Sequence, residues 1–283
     1  MLPPSEALSP LNIAPNEVAF LAVPGWERMD WLWHGFSTRV GGVSTVYGGE
    51  GEAGELNLGF TAHDSPENVR ENRRRFVEAV TGNRDIPLVP LRQVHSCRSV
   101  TVGEAVIETV GAAGAVEEAD GLMTRKPGIL IGIQTADCIP VLVVDPVRRA
   151  VGAFHAGWRG TVQRIVERGV ARMGEEFGSN PAELLAAIGP GIGACCYAVG
   201  DEVRERFAAD FSYADALFTR DGADMRLDLT EANRRQLLAA GLRAESVATV
   251  GGCTSCQPQL FYSHRASGGR AGRMMAVVGN RAS

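Results

Sequence analysis

Three short apolar segments follow one another near the middle of the 283-residue chain, and they constrain its fold more than any other feature. They span Ile129 to Ile133, Ile139 to Val144 and Ala150 to Phe154. Each segment is continuously apolar instead of alternating with polar residues, which is typical of strands that are buried on both faces of a sheet. The sequence therefore predicts a sheet that is covered on both sides by other elements.

Helical patterns lie between the strand-like segments. Ser65 is a suitable N-cap for a helix that we expect to reach about Val80. Another helix is predicted from Gly160 to about Phe177, a third begins near Asp201, and a fourth is capped by Thr230. Strands and helices alternate without the regular spacing of a barrel, so we expect an α/β or α+β fold with a mixed central sheet.

The composition supports one layered domain over residues 1–283, with an irregular lead-in at 1–20 that can add an edge strand. Hydrophobic residues make up 45% of the chain, which argues against disorder. The net charge of −5 offers no basic excess for nucleic acid. We find neither a secretory signal nor an apolar run of membrane-spanning length, so we expect no membrane partner and a cytoplasmic location.

His95, Cys138 and His155 are the strongest candidates for chemistry. Each follows or ends an apolar strand-like segment, and strand ends on a buried sheet converge on a crevice. Two imidazoles and a thiolate suit Zn²⁺ and leave a fourth position open for water or substrate. The simpler interpretation is that each residue only packs in the core, as single His and Cys residues on apolar strands often do.

The other cysteines give a weaker signal. Cys253 and Cys256 form a CxxC pair, but no second CxxC or histidine pair stands at zinc-finger spacing, so we interpret them as thiols in a glycine-rich loop. Cys195 and Cys196 are adjacent and are interpreted as packing residues. In a reducing compartment all of these cysteines are expected to be free thiols.

Two arginines follow strand-like segments and precede glycines. Arg159 lies in HAGWRGT, where a helix start and a guanidinium could bind phosphate, and Arg39 lies in a similar segment. Surface ion pairs at tight turns explain both equally well. Gln93, beside His95 in RQVH, is a further candidate for binding substrate. The glycine-rich stretch 41–54 is predicted to be a mobile surface loop near a site.

Polar residues near the proposed centre have several alternative roles. Asp120 and Asp137 could orient a metal-bound imidazole or act as a general base, and an N-cap or turn role is an equal alternative for both. His34 and His63 could line a pocket. His264 is expected to pair with the backbone.

At these residues the sequence resembles the laccase-domain, or multicopper polyphenol oxidase-like, proteins. The motifs that carry the resemblance occur in one order over nearly the whole chain, and they are HGFSTRVGG, LNLG, ENRRR, RQVH, ADGLMT, TADCIPVLVVD, FHAGWRGT, AIGPGIGACCYAVG, CTSC and FYSHRASG. In one respect the chain differs, because His264 stands where many relatives carry Tyr.

The resemblance implies a fold and an activity. It implies a compact layered α/β domain similar to the catalytic domain of cytotoxic necrotizing factor toxins. It also implies a zinc-dependent purine nucleoside phosphorylase that takes adenosine, inosine, methylthioadenosine and phosphate and that deaminates adenosine. The metal ligands it implies are His95, Cys138 and His155, and Asp137 is our candidate for moving protons.

Three alternatives stay open. A laccase copper centre needs far more histidines than the five in this chain, although a lone copper at the His2Cys set could support weak polyphenol oxidation. The protein could instead be a cysteine hydrolase with Cys138 as nucleophile and His155 or His95 as base. It could also be a non-catalytic domain that binds a metal or a partner.

Overall fold

The apolar segments form long central strands in the structure, a computed structural model that describes residues 11–48, 54–103 and 117–282. The strands are β1 (Leu11–Ile13), β2 (Ala19–Leu21), β3 (Leu32–Ser37), β4 (Val40–Ser44), β5 (Leu88–Pro90), β6 (Ser99–Thr101), β7 (Gly121–Thr124), β8 (Ile129–Thr135), β9 (Ile139–Asp145), β10 (Ala150–Ala156), β11 (Leu185–Ile188), β12 (Ala198–Val199), β13 (Phe218–Asp221), β14 (Asp224–Leu227), β15 (Val247–Thr249) and β16 (Met274–Asn280).

Most of these strands form two six-stranded sheets. The first sheet has the order β1-β2-β3-β16-β8-β5, and the second has the order β15-β11-β9-β10-β7-β6. Both are mixed, because β5–β8, β6–β7 and β11–β15 are parallel pairs while the other pairs are antiparallel. A three-stranded sheet, β12-β14-β13, stands apart from them. The predicted mixed α/β class is confirmed, with two facing sheets where one central sheet was expected.

The helices cover the outer faces of the two large sheets. They are α1 (Pro66–Thr81), α2 (Trp158–Val162), α3 (Ile165–Phe177), α4 (Asp201–Asp210) and α5 (Leu229–Ala239). Phe76 of α1 packs with Leu130 and Val277 of the first sheet, and Val166 of α3 packs with Val143 of the second. Among the described residues, no helix is both long enough and apolar enough to cross a bilayer.

The core between the sheets explains why the central segments are apolar throughout. Ile131 of β8 and Ala276 of β16 meet Leu142 of β9 and Val151 of β10 in one buried cluster. The residues that alternate with them face the helices, so both faces of each central strand are buried. Transfer of this surface from water, at about 25 cal/mol per Å², is the main driving force for the layered arrangement.

Local signals place some helix ends correctly and others not. The Ser65 hydroxyl accepts a 3.1 Å hydrogen bond from the Asn68 amide, as the N-cap prediction requires. The fourth predicted helix is capped by Asp228 and not by Thr230, because the Asp228 carboxylate accepts the Glu231 amide at 2.8 Å. The single helix predicted from Gly160 is broken between α2 and α3 at Arg164, whose φ is 63°.

The edge strand expected from the lead-in is present, and the prediction for the glycine-rich loop is revised. The lead-in supplies the edge strand β1 and also β2, which pairs with β3, while residues 1–10 lie outside the described residues. The predicted loop at 41–54 begins as strand β4, and residues 49–53 lie outside the described residues.

Candidate functional site

His95, Cys138 and His155 come together at one end of the second sheet. His155 is near the end of β10, and it pairs with Pro140 of β9, so that Cys138, immediately before β9, lies beside it. His95 reaches the same point from the loop between β5 and β6. One potential ligand atom from each residue lies within 4.8 Å of those of the other two. The convergence predicted from strand ends is therefore present.

A buried carboxylate holds two of these residues in place. Asp120 Oδ1 accepts a 2.8 Å hydrogen bond from His155 Nδ1 and a 3.0 Å bond from the His95 amide. Its Oδ2 accepts the Ser96 amide at 2.6 Å and the Ser96 hydroxyl at 2.8 Å. The bond to Nδ1 leaves Nε2 as the free ring nitrogen of His155. Asp120 thus has the role of orienting an imidazole, one of the two predicted for it.

The protonation of the centre follows from these contacts. Burial alone would raise the pKa of Cys138, but the charge of His155 and hydrogen bonds from both imidazoles lower it to about 6. Burial alone would lower the pKa of His155, but Cys138 and Asp120 raise it to about 9. The two shifts agree with each other and describe a thiolate beside an imidazolium in the metal-free protein.

The donor set fits a metal ion. A thiolate and two imidazoles within joint reach of one centre match the ligands of a catalytic zinc site, which keeps a fourth position open. Copper also accepts this set, and copper has the higher intrinsic affinity. No methionine lines the cavity beside the centre among the described residues, so the structure offers no thioether as the long axial ligand of a blue-copper site.

The centre opens into a cavity of about 730 Å³. This volume falls in the range of roughly 300–1,000 Å³ that is usual for small-molecule sites. Its lining is unusually cationic, because it contains four arginines and only one carboxylate among the described residues. The arginines are Arg73, Arg92, Arg265 and Arg273, and the carboxylate is Asp137.

Three of the arginines have no carboxylate partner among the described residues, whereas Arg92 pairs with Glu118. One of the three, Arg265, donates to the Ala198 carbonyl at 2.9 Å and stacks on Tyr197. Arg73 of α1 donates from Nε to the Leu58 carbonyl at 2.9 Å, and its guanidinium lies 4.6 Å from the centre of the Phe60 ring. Burial lowers the pKa of Arg73 to about 10, so it stays protonated at neutral pH. Among the described residues, the guanidinium of Arg273 donates only to the carbonyls of Ala271 and Gly272, at 3.0 and 3.1 Å. Their remaining donors are available for an anion.

The LNLG and ENRRR segments hold these arginines at the cavity. Asn57 accepts the Arg273 amide at 2.9 Å, and Asn72 donates to the Asn57 carbonyl, also at 2.9 Å. A Cβ on Gly59 would lie 2.5 Å from Arg273 Cγ and 2.7 Å from Gln134 Oε1. Glycine at this position therefore leaves the room that Arg273 occupies.

The arginines predicted from the sequence to bind phosphate lie elsewhere. Arg39 pairs with Glu55, donates to the Pro258 carbonyl at 2.7 Å and stacks on Tyr262, so the fold uses its guanidinium. Arg159 is exposed and stacks on its neighbour Trp158, 4.4 Å from the ring centre. Neither residue lines the cavity. Sequence reasoning missed Arg73, which lies inside a helix, and Arg273, which precedes strand β16 instead of following a strand.

Two other residues that the sequence singled out do line the cavity. Gln93 lines the cavity, and its amide is fixed by two 2.7 Å hydrogen bonds with the backbone of Gln134. Asp137 also lines it, and its carboxylate accepts the Thr254 hydroxyl at 2.6 Å and the Arg265 amide at 2.8 Å. These bonds fix the position of Asp137 without excluding the predicted role in proton transfer.

Three histidine predictions need correction. His34 is not in the cavity, because its Nε2 accepts the Val23 amide at 3.0 Å within the fold. His63 is also absent from the lining, whereas His264, which was expected to pair with the backbone, is part of it. Which histidines line the cavity depends on where distant loops meet, and the sequence contains no local signal for that.

The packing interpretation of Cys195 and Cys196 is wrong, because the thiols of the Cys253–Cys256 loop lie beside them. Cys195, Cys196, Cys253 and Cys256 converge, and their sulfur atoms all lie within 4.8 Å of one another. Cys195 and Cys256 are also exposed, which packing residues would not be.

Comparisons with known proteins agree with the geometry. Residues 33–281 match the family model described as multi-copper polyphenol oxidoreductase laccase. Purine nucleoside phosphorylase YlmD of Geobacillus stearothermophilus is 38% identical over 267 residues, which cover 90% of this chain and 96% of that protein. Adenosine deaminase RL5, from an unknown prokaryotic organism, is 38% identical over 195 residues, which cover 68% of this chain and 74% of the relative.

A solved structure shows the same fold. The crystal structure of YlmD from Geobacillus stearothermophilus aligns with a TM-score of 0.83 at 34% sequence identity. The alignment covers 94% of this chain and 96% of that one.

Proposed function

The chain belongs to the multi-copper polyphenol oxidoreductase laccase family, and from this premise and the geometry of its site we propose that it is a zinc-dependent purine nucleoside phosphorylase. Its proposed substrates are adenosine, inosine and methylthioadenosine, and it also deaminates adenosine. One observation carries the proposal: three potential metal-ligand side chains border a cavity in which three of the four arginines have no carboxylate partner among the described residues. That combination suits a neutral nucleoside together with an anionic co-substrate.

Zinc is the metal that we propose for the centre. His95, Cys138 and His155 would hold it, and the hydrogen bond from His155 to Asp120 would keep the free ring nitrogen aimed at the ion. When bound, the ion supplies Lewis-acid stabilisation of negative charge that develops in the transition state. The cavity lining offers no methionine for a copper site, which favours zinc in this choice.

Arg73 and Arg273 are the proposed phosphate ligands. In phosphorolysis a phosphate oxygen forms a bond to the anomeric carbon of ribose, while the bond from that carbon to the purine nitrogen breaks. The purine leaves with the electron pair and gains a proton. Guanidinium groups that are already desolvated and unpaired can bind a phosphate strongly, since no internal ion pair has to be broken first.

Asp137 and Phe60 are the proposed contacts to the base. Asp137 is the only carboxylate of the described lining, and its two hydrogen bonds hold it at a fixed place where it can exchange a proton with the purine. In deamination, water replaces the amino group of adenosine and ammonia leaves, which again requires proton transfer at the base. The exposed ring of Phe60, backed by Arg73, offers a face for stacking.

The direct test is to incubate zinc-loaded protein with adenosine, with and without phosphate, and to separate the products. We expect adenine and ribose 1-phosphate only when phosphate is present, and inosine and ammonia in both cases. The Cys138→Ala variant should lose both activities, whereas Arg159→Gln, outside the cavity, should keep them. Absence of adenine, inosine and hypoxanthine under zinc-replete conditions would refute the proposal.

A cysteine hydrolase is the second candidate function. It is favoured by the lowered pKa of Cys138 beside His155, which is the arrangement of an activated thiol nucleophile. Zinc and nucleophilic catalysis exclude each other at this sulfur, because a thiolate that binds a metal is not free to attack a substrate. Whether zinc protects Cys138 against alkylation therefore separates the two functions.

A further inference from the structure

The four cysteines outside the cavity centre form a second cluster of soft ligands. The sulfur of Cys256 lies 3.3 Å from that of Cys196 and 3.5 Å from that of Cys195, and Cys253 completes a set in which all sulfurs lie within 4.8 Å of one another. A disulfide would need a separation of about 2.0 Å. A tetrahedron of sulfurs, each about 2.3 Å from a central zinc ion, has edges of roughly 3.8 Å. The observed spacing corresponds to the tetrahedron.

The backbone explains how two distant cysteine pairs reach one centre. The loop after β11 and the loop after β15 pair through a parallel bridge between Gly191 and Cys253, and the Thr254 amide donates to the Gly191 carbonyl at 2.9 Å. The backbone amide of Cys196 donates to the Gly193 carbonyl at 2.9 Å, so the adjacent Cys195 and Cys196 occupy a tight turn. In extended backbone their side chains would point to opposite sides, whereas a turn allows both sulfurs to face one point.

The surroundings of the cluster leave space for sulfur and hold the Cys195 turn in place. A Cβ on Gly193 would lie 3.1 Å from Cys253 Cβ and 3.3 Å from Cys195 Sγ, so glycine keeps the interior of the cluster open. Arg226 donates to the Cys195 carbonyl, and its buried Nε has no hydrogen-bond partner among the described residues. The same guanidinium pairs with Asp221 at 2.8 Å, so Arg226 ties the backbone of Cys195 to the β13–β14 hairpin.

We propose that Cys195, Cys196, Cys253 and Cys256 form a structural site for one Zn²⁺ ion, separate from the His95–Cys138–His155 centre. Four thiolates in tetrahedral arrangement are the donor set of closed structural zinc sites, which leave no position for substrate. Binding releases protons from the thiols and requires no oxidant. The site therefore differs in chemistry and in purpose from the cavity centre.

The position of the site gives it a function. Tyr197 follows Cys196 directly and lines the cavity, and Thr254, inside the CTSC loop, donates to Asp137 at 2.6 Å. An ion held by both loops would fix the wall of the cavity that carries Asp137 and Tyr197. We expect its loss to loosen substrate binding while the His95–Cys138–His155 centre keeps its own metal.

Zinc analysis of protein purified under reducing conditions tests the proposal. We expect two zinc ions per chain in the wild type, one in His95→Ala and one in the double variant Cys253→Ser/Cys256→Ser. Cys97→Ser removes the one cysteine outside both sites and should keep two ions. One ion in the wild type and none in His95→Ala would overturn the cysteine site and leave the cavity centre intact. One ion in the wild type that is kept in His95→Ala and lost in the double cysteine variant would instead refute the cavity centre.

Cobalt substitution gives a measurement that needs no cysteine change, in case the double variant fails to fold. In His95→Ala, cobalt at the four cysteines should produce the intense visible absorption of a tetrahedral cobalt–thiolate centre. A spectrum without this absorption would overturn the proposal, as would a disulfide between Cys196 and Cys256 found by mass spectrometry in protein kept free of oxidants.

Discussion

Asp120 and His155 are joined by a 2.8 Å hydrogen bond between Oδ1 and Nδ1, and both side chains are buried. The same carboxylate accepts the backbone amides of Val94, His95 and Ser96. Asp120 therefore fixes one imidazole of the proposed metal centre directly and the other through its backbone. Burial alone would raise the pKa of Asp120, but the bonds from His155 and Ser96 lower it to about 2, so it stays ionised at neutral pH.

Asp120→Asn should weaken metal binding at the cavity centre. The amide cannot replace all the carboxylate acceptors, and loss of a carboxylate that orients a ligating histidine costs roughly 10- to 100-fold in metal affinity. Titration with a competing chelator measures the change. Asp145→Asn, at the far end of β9, is the matched control, because Asp145 is equally buried, accepts the amides of the following turn and pairs with Arg148, and touches neither imidazole. An equal loss of affinity in both variants would show a general effect of unfolding instead of orientation.

Arg73→Gln should raise KM for phosphate without affecting deamination. A hydrogen bond to a charged group contributes about 1.5–3 kcal/mol, so KM for phosphate should rise roughly 10- to 100-fold. Deamination consumes no phosphate and serves as an internal control in the same protein. Arg159→Gln should leave both reactions unchanged. If Arg159→Gln raises KM for phosphate and Arg73→Gln does not, the anion lies on the other side of the HAGW turn.

Cys138 should react with iodoacetamide in metal-free protein and be protected when zinc is present. The lowered pKa of about 6 makes this sulfur a thiolate at neutral pH in the absence of metal. Peptide mass spectrometry identifies the labelled residue, and Cys97 provides the comparison because it belongs to neither cluster. Stoichiometric labelling of Cys138 in zinc-replete protein would favour the hydrolase.

Gly169→Ala should destabilise the protein, whereas Gly174→Ala in the same helix should not. A Cβ on Gly169 would lie 2.3 Å from the Phe154 ring, and forcing an extra methyl into a packed core costs about 1–3 kcal/mol. At Gly174 the nearest atom is 3.4 Å away, and alanine is a better helix former by about 1 kcal/mol. Urea unfolding of both variants measures the difference. Equal stabilities would show that α3 can shift away from β10.

The sequence allowed the convergence of His95, Cys138 and His155 and the central strands to be predicted, but not the whole cavity. Cys138 immediately precedes β9 and His155 is near the end of β10, so the pairing of these adjacent strands brings the two residues together, whereas His95 comes from the loop between β5 and β6. Arg73 reaches the cavity from the middle of α1, where its spacing resembles that of an ordinary surface arginine. Its role depends on the packing of α1 against the first sheet, which is a tertiary contact without a local motif.

The cysteine cluster shows the same limit in another form. Cys196 and Cys253 are separated along the chain by the two helices α4 and α5 and by the four short strands β12 to β15. Adjacent cysteines such as Cys195 and Cys196 would also diverge in extended backbone. Only the turn at Gly193 and the bridge at Gly191 bring their sulfurs together. The break at Arg164 was equally hidden, because the apolar pattern continues across it while the backbone leaves the helix.

Anomalous diffraction from crystals of zinc-loaded protein, recorded on both sides of the zinc absorption edge, tests the central claim most directly. The account predicts a peak about 2.0–2.3 Å from a nitrogen of His95, a nitrogen of His155 and the sulfur of Cys138. A map with no zinc peak within bonding distance of these three atoms would contradict it.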